Sequence, residues 1–203
     1  VIPQAHYRPV RSFVRRSARM TPAQRAAIQR DWPIYGLEGA GVLPLDAEFG
    51  RRAPRVMEIG FGDGQALVSL AESHPGRDYL GVDVYEPGIG RALAAVAEKQ
   101  LHNVRLLRGD AVEVLRERFA PASLDTVLLL FPDPWPKKRH HKRRLVQADF
   151  VELVASRLKP AGGFHLATDW RDYAEHMLAV LEAEEALVNL AGRGNFSEQG
   201  ADR

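Results

Sequence analysis

From Arg55 onward, short apolar runs alternate with segments whose apolar positions recur at helical spacing. Val56-Met57-Glu58-Ile59 is followed by a helical stretch around Ala66 to Glu72, then by Tyr79-Leu80-Gly81-Val82-Asp83. The series continues with a helix from about Ile89 to Gln100, a strand from Val104 to Leu107, a helix from Val112 to Arg118 and the run Thr126 to Phe131. That last run is apolar on both faces, the pattern of a central parallel strand. Beyond it come a helix near Ala148 to Leu158, a Pro160-Ala161-Gly162-Gly163 turn, a strand from Phe164 to Ala167 and a helix from about Tyr173 to Glu184. Ala186 to Leu190 reads as the start of one more strand. Regular alternation of this kind predicts an α/β fold, a parallel sheet with helices on both faces.

Upstream, Thr21-Pro22-Ala23-Gln24 is a capping box with proline at the first helical position. It predicts a helix to about Arg30 that Pro33 stops. Residues 1–50 are therefore taken as a basic N-terminal arm with a helical appendage, and residues 51–203 as a single globular domain. No internal repeat or separating linker interrupts the latter, and residues 192–203 read as a loose tail. Val1 in place of methionine implies that the chain begins inside a longer or processed product.

None of the 203 residues is cysteine, which excludes disulfides, thiolate-ligated zinc, iron–sulfur clusters and a cysteine nucleophile. No apolar stretch approaches the roughly 20 residues that span a bilayer, and the first 30 residues hold no secretory apolar region. A cytoplasmic location with no membrane association is the expectation. The net charge is only +2, but basic residues cluster. One cluster holds Arg8, Arg11, Arg15, Arg16, Arg19, Arg25 and Arg30; the denser one is the unbroken run Lys137-Lys138-Arg139-His140-His141-Lys142-Arg143-Arg144. Either a solvated face or a polyanion contact accounts for such a run by itself.

Glu58-Ile59-Gly60-Phe61-Gly62-Asp63-Gly64 lies where the first strand turns into a helix, the place where nucleotide-like ligands meet backbone amides in doubly wound folds. The spacing is G-x-G-x-G, with an acid two residues before Gly60, and differs from the G-x-G-x-x-G of dinucleotide enzymes. It resembles the Rossmann-like, S-adenosylmethionine-dependent class I methyltransferases. Asp83 ends the second strand, where a carboxylate suits vicinal ribose hydroxyls, and Asp110 ends the third. By the same resemblance Asp110 meets the adenine amine and Glu58 the amino-acid end of the cofactor. Asp133, in Phe131-Pro132-Asp133-Pro134-Trp135-Pro136, stands at the end of the fourth strand with its backbone restricted by prolines. Trp135 is equally suited to stacking on RNA and to packing. Asp169 ends the fifth strand, as a substrate contact or a helix cap; His165, His176 and Trp170 are assigned to the core. His140 and His141 have no acids at ligand spacing, so neither a metal nor a catalytic role is expected for them.

The stretch F-P-D-P-W-P-K-K-R-H-H-K-R-R-L from Phe131 to Leu145, with Ala167-Thr168-Asp169-Trp170 and Tyr173-Ala174-Glu175-His176-Met177-Leu178, resembles the bacterial tRNA (guanine-N7-)-methyltransferase family. The resemblance runs from Arg11-Ser12-Phe13-Val14 to about Leu190. It implies methyl transfer from S-adenosylmethionine to N7 of the variable-loop guanosine, position 46, of tRNA, without a metal or an obligate protein partner. It places Glu58, Gly60, Gly62, Gly64, Asp83, Asp110 and Asp133 at the cofactor and makes Asp133 the catalytic residue. It places Lys137 and Asp169 at the substrate, and Arg139, His140, His141, Lys142, Arg143 and Arg144 on the RNA. Members continue into an Arg-Pro-x-Thr-Lys-Phe-Glu segment and a final strand that this sequence lacks, which implies C-terminal shortening and puts the activity of the shortened chain in question. The alternatives are an amino-directed nucleic-acid methyltransferase, disfavoured by the single proline after Asp133 and the length of the basic loop, and a catalytically silent tRNA-binding module.

Overall fold

The computed structural model describes residues 19–197; Arg8, Arg11, Arg15, Arg16, the Arg11-Ser12-Phe13-Val14 segment and residues 198–203 lie outside them. Five apolar runs form one sheet: β1 (Arg55–Ile59), β2 (Asp78–Asp83), β3 (Val104–Arg108), β4 (Leu124–Leu130) and β5 (Leu158–Ala167). Their order is β3-β2-β1-β4-β5 and every neighbouring pair is parallel. A helix follows each strand in turn: α3 (Gln65–Ser73), α4 (Glu86–Glu98), α5 (Ala111–Arg118), α6 (Ala148–Arg157) and α7 (Arg171–Glu182). Two helices precede the sheet, α1 (Pro22–Tyr35) and the short α2 (Leu45–Phe49).

Successive strand residues point to opposite faces, and the two apolar clusters divide accordingly. Val56, Tyr79 and Leu106 pack with Leu67, Leu93 and Val96, whereas their chain neighbours Met57, Leu80 and Leu107 pack with Phe150, Val151 and Tyr173. Each wholly buried leucine, such as Leu67 or Leu93, contributes about 2 kcal/mol. β1 and β2 thus have no solvent face, and the functional groups of these central strands must come from their ends. At the amino end of the sheet, Arg55 bridges Asp78 and Asp46, and Arg51 reaches the same Asp78 from Nε at 2.8 Å.

The structure departs from the sequence pattern in four places. Helix α1 runs past Pro33 to Tyr35. The carbonyl that Pro33 leaves without a donor belongs to Gln29, an exposed residue, and burial of Tyr35 carries the last turn. The Pro160–Gly163 turn is an irregularity inside β5, whose pairing with β4 jumps from Leu124↔Leu158 to Thr126↔Gly163. Residues 186–190 form turn and coil, so the expected further strand is absent among the described residues and β5 is an edge. His165 is consequently exposed, and Trp170 is 43% exposed beyond the strand end; only His176 is half-buried, its Nε2 2.8 Å from the Val146 carbonyl oxygen.

Helix α1 lies against α4. A Cβ at Gly90 would come within 2.8 Å of the Gln24 carbonyl oxygen, so this close approach depends on glycine. Leu37 and Leu43 then enter the same cluster as Met57, tying the appendage to the sheet.

Candidate active site

The chain direction places all carboxyl ends of the parallel strands on one edge, and the reversal of order between β1 and β4 falls there, the place where open α/β sheets take their ligands. Gly60, Gly62 and Gly64 form the turn out of β1 with φ of 69°, 55° and 78°, values that a side chain disfavours. The Gly60 N–H donates to the Val82 carbonyl at 2.8 Å and the Gly62 N–H to Asp83 Oδ2 at 2.8 Å, fixing the turn to the end of β2. A Cβ at Gly60 or Gly62 would meet nothing within 4 Å, so the turn faces open space.

Glu58 is 3% exposed and its Oε2 has no hydrogen-bond partner. Burial, and then the charge of Asp83, push its carboxyl up to about 7. Asp83 differs: besides Gly62 it accepts the Tyr85 N–H at 2.8 Å, and these donors partly offset the burial that raises its own pKa. A buried acid with an unserved oxygen calls for a donor or a cation. The open glycine turn, the unserved Glu58 oxygen and the hydrogen-bonded Asp83 therefore fit a ligand with an ammonium group and ribose hydroxyls.

Asp110 is half-buried at the end of β3 and caps α5, with Oδ1 accepting the N–H groups of Val112 at 2.9 Å and Glu113 at 3.3 Å. Asp133 is exposed past the end of β4, between Phe131 and Trp135, which both have positive φ, 50° and 46°. Its charge reaches the Tyr173 phenol, whose pKa is raised, mainly by burial. Asp169 is exposed at the end of β5; the residue at the cap of α7 is Trp170, so Asp169 does not cap that helix. One sheet edge thus carries Glu58, Asp83, Asp110, Asp133 and Asp169.

The basic run forms a 3-10 helix, Lys138–Arg143, directly after that edge. Lys137, Lys138, Arg139 and Lys142 are exposed. Burial and the surrounding cations hold His140 below its usual range, so it is neutral at pH 7. Trp135 packs: its ring meets His140 edge-on at 5.8 Å, and the Arg143 guanidinium lies 5.0 Å above it. Arg144 requires a correction. Its side chain is 1% exposed, paired with Asp172 and directed inward, unlike the exposed residues of the run. Its partner Asp172 was not legible as special, since an acid in a first helical turn is ordinary there. Tyr173 stood in the family-like motif without an assigned task.

Strand order, glycine turn and strand-end acids define a Rossmann-like class I methyltransferase. The chain belongs to the family described as "Putative methyltransferase", whose sequence model matches residues 52–202. Among curated relatives, the tRNA (guanine-N(7)-)-methyltransferase of Alkalilimnicola ehrlichii is 55% identical over 95% of this chain and 83% of its own length. That of Leifsonia xyli subsp. xyli is 55% identical over 92% of this chain and 82% of its own. Among solved structures, the aminoglycoside resistance methyltransferase NpmB1 superposes with a TM-score of 0.50 at 17% identity, covering 70% of this chain and 68% of that one, a likeness of fold.

Proposed function

We propose that this protein is a tRNA (guanine-N7-)-methyltransferase that uses S-adenosylmethionine and modifies the variable-loop guanosine at position 46. The observation that carries the reading is the 55% identity to a tRNA (guanine-N(7)-)-methyltransferase across 95% of the chain. The chemistry of the site supports it. Glu58 would hold the cofactor's ammonium group, Asp83 its ribose hydroxyls and Asp110 its adenine amine, with the glycine turn beneath. Bound there, S-adenosylmethionine supplies an electrophilic sulfonium methyl; guanine N7 takes it through its in-plane lone pair, the new N–C bond forming as the C–S bond breaks to a thioether.

N7 carries no proton, so the transfer demands alignment and charge more than a base. Asp133 accepts from the guanine N1–H and amino edge and balances the positive charge that the ring acquires. Lys137 and Asp169 flank the base, and the exposed Lys138, Arg139 and Lys142 hold neighbouring phosphates. No described helix is long and apolar enough to cross a membrane; a tRNA substrate is what supports a cytoplasmic location.

The test is incubation with methyl-labelled S-adenosylmethionine and unmodified tRNA, followed by nucleoside analysis. 7-Methylguanosine is the expected product. A methyl group on an exocyclic nitrogen would transfer the assignment to the amino-directed class, and cofactor binding without any product to the silent module.

A further inference from the structure

Arg144 ends the basic run yet faces away from solvent. Its guanidinium lies 4.8 Å over the Tyr173 ring, donates from Nε to the Pro134 carbonyl at 2.9 Å and pairs through Nη2 with Asp172 Oδ2. The Tyr173 hydroxyl accepts the Val146 N–H at 3.2 Å, and Gln147 Nε2 donates to the Arg144 carbonyl at 3.3 Å. Three pieces of the site edge are therefore joined through one side chain. Pro134 follows Asp133, Asp172 and Tyr173 open α7 just beyond Asp169, and the exposed cations lie on the turn between them.

The loop needs such a tie. Phe131 and Trp135, on either side of Asp133, both sit in left-handed backbone conformations that persist only when the surroundings enforce them. The Arg144 bond to the Pro134 carbonyl is one such constraint, and it holds the peptide between Pro134 and Trp135, one residue past Asp133. A guanidinium with three fixed partners cannot turn to a phosphate without leaving Asp172 and that carbonyl unserved.

We propose that Arg144, Asp172 and Tyr173 form a latch that sets Asp133 in register with Asp169, Arg144 being a positioning residue and not a contact to RNA. The proposal rests on the base-methylating reading of the same edge.

Asp172 is the place to test it, because its side chain is 60% exposed and it is not itself a core residue. The variants Asp172→Ala and Asp172→Asn are compared with the unmodified protein in single-turnover methyl transfer at saturating tRNA and cofactor, with both affinities measured separately. Asp172→Ala should slow transfer tenfold or more, since small misplacements of a reacting group are costly, while both affinities stay within threefold. Asp172→Asn, whose amide oxygen still accepts from Arg144, should recover part of the rate. Limited trypsin digestion reads the latch without activity: cleavage within residues 137–143 should accelerate several-fold in Asp172→Ala. Unchanged digestion overturns the proposal, as does an unchanged saturated rate accompanied by a weakened tRNA affinity. An unmodified protein that methylates a nucleoside other than guanosine overturns the guanine-N7 reading instead, and the latch is then read on that product.

Discussion

Asp83 and Glu58 share one strand-end environment, but only Asp83 is supplied with donors. Asp83 accepts from the Gly62 and Tyr85 amides, whereas Glu58 Oε2 accepts from nothing and titrates at about 7. A folded-state pKa raised from 4.5 to about 7 means that Glu58 favours folding most below pH 4.5, and that this contribution is lost as pH rises through 7. Glu58→Gln should therefore stabilise the cofactor-free protein above pH 7, by up to about 3 kcal/mol, and make no difference near pH 4.5. Denaturant unfolding at the two pH values checks this; a variant less stable at pH 8 would contradict it. The same carboxyl should release a proton when S-adenosylmethionine binds near pH 6, visible in calorimetry as a heat that depends on the buffer.

Asp133 lies past the carboxyl end of β4, on the same sheet edge as Glu58 and Asp83. Asp133→Ala should abolish turnover and leave cofactor affinity within a few-fold, the separation expected of a group that acts on the base. Equilibrium titration with S-adenosylhomocysteine beside a methyl-transfer assay measures both quantities. Equal loss of the two would make Asp133 mainly a cofactor ligand.

Four cations of the run, Lys137, Lys138, Arg139 and Lys142, are exposed, whereas Arg143 is half-buried over Trp135, Arg144 is turned inward, His140 is neutral and His141 is half-buried beside Asp172. With Lys137 at the base and Lys138, Arg139 and Lys142 each neutralising one phosphate, tRNA affinity should fall about 40-fold over a fourfold rise in salt, well short of the roughly 10³ that six contacts would give. Lys138→Ala and Lys142→Ala should each reduce the slope of log affinity against log salt by about one. Filter binding at several salt concentrations decides the matter. An unchanged slope in both variants would move the phosphate contacts elsewhere.

Much of this was legible because it is periodic or local. Apolar runs such as Tyr79–Val82 and the glycine turn at Gly60 bring their strand and their bend with them, and an acid at the end of a parallel strand has only one edge to occupy. What escaped the sequence depends on contacts between distant segments. Arg144 looks like its neighbours in the run, and only its pairing with Asp172, 28 positions later, turns it inward. Helix α1 overrides Pro33 because Tyr35 is buried by residues it meets only in the folded chain. The assignment of Trp170 to the core failed because the residue stands past β5 at the cap of α7, a position set by where that helix starts.

The amino end of the sheet shows the same dependence on distance, and here the consequence is stability. Asp78 is wholly buried and receives Arg55, whose side chain is only 3% exposed, together with Arg51. Removing one partner from a buried pair strands the other charge, at a cost of about 3 kcal/mol or more. For a chain of this size that corresponds to a fall of roughly 6–12 °C in Tm. Asp46 offers the contrast: it meets the same Arg55 at 3.1 Å but is 58% exposed, and solvent screening keeps such a contact below about 1 kcal/mol. Asp78→Asn should therefore lower Tm severalfold more than Asp46→Asn, while cofactor affinity at the opposite edge of the sheet stays unchanged in whatever protein remains folded. Thermal unfolding of the two variants side by side measures the difference. Equal shifts would mean that the buried arginine finds a replacement partner and that the network is not what anchors β1 to β2.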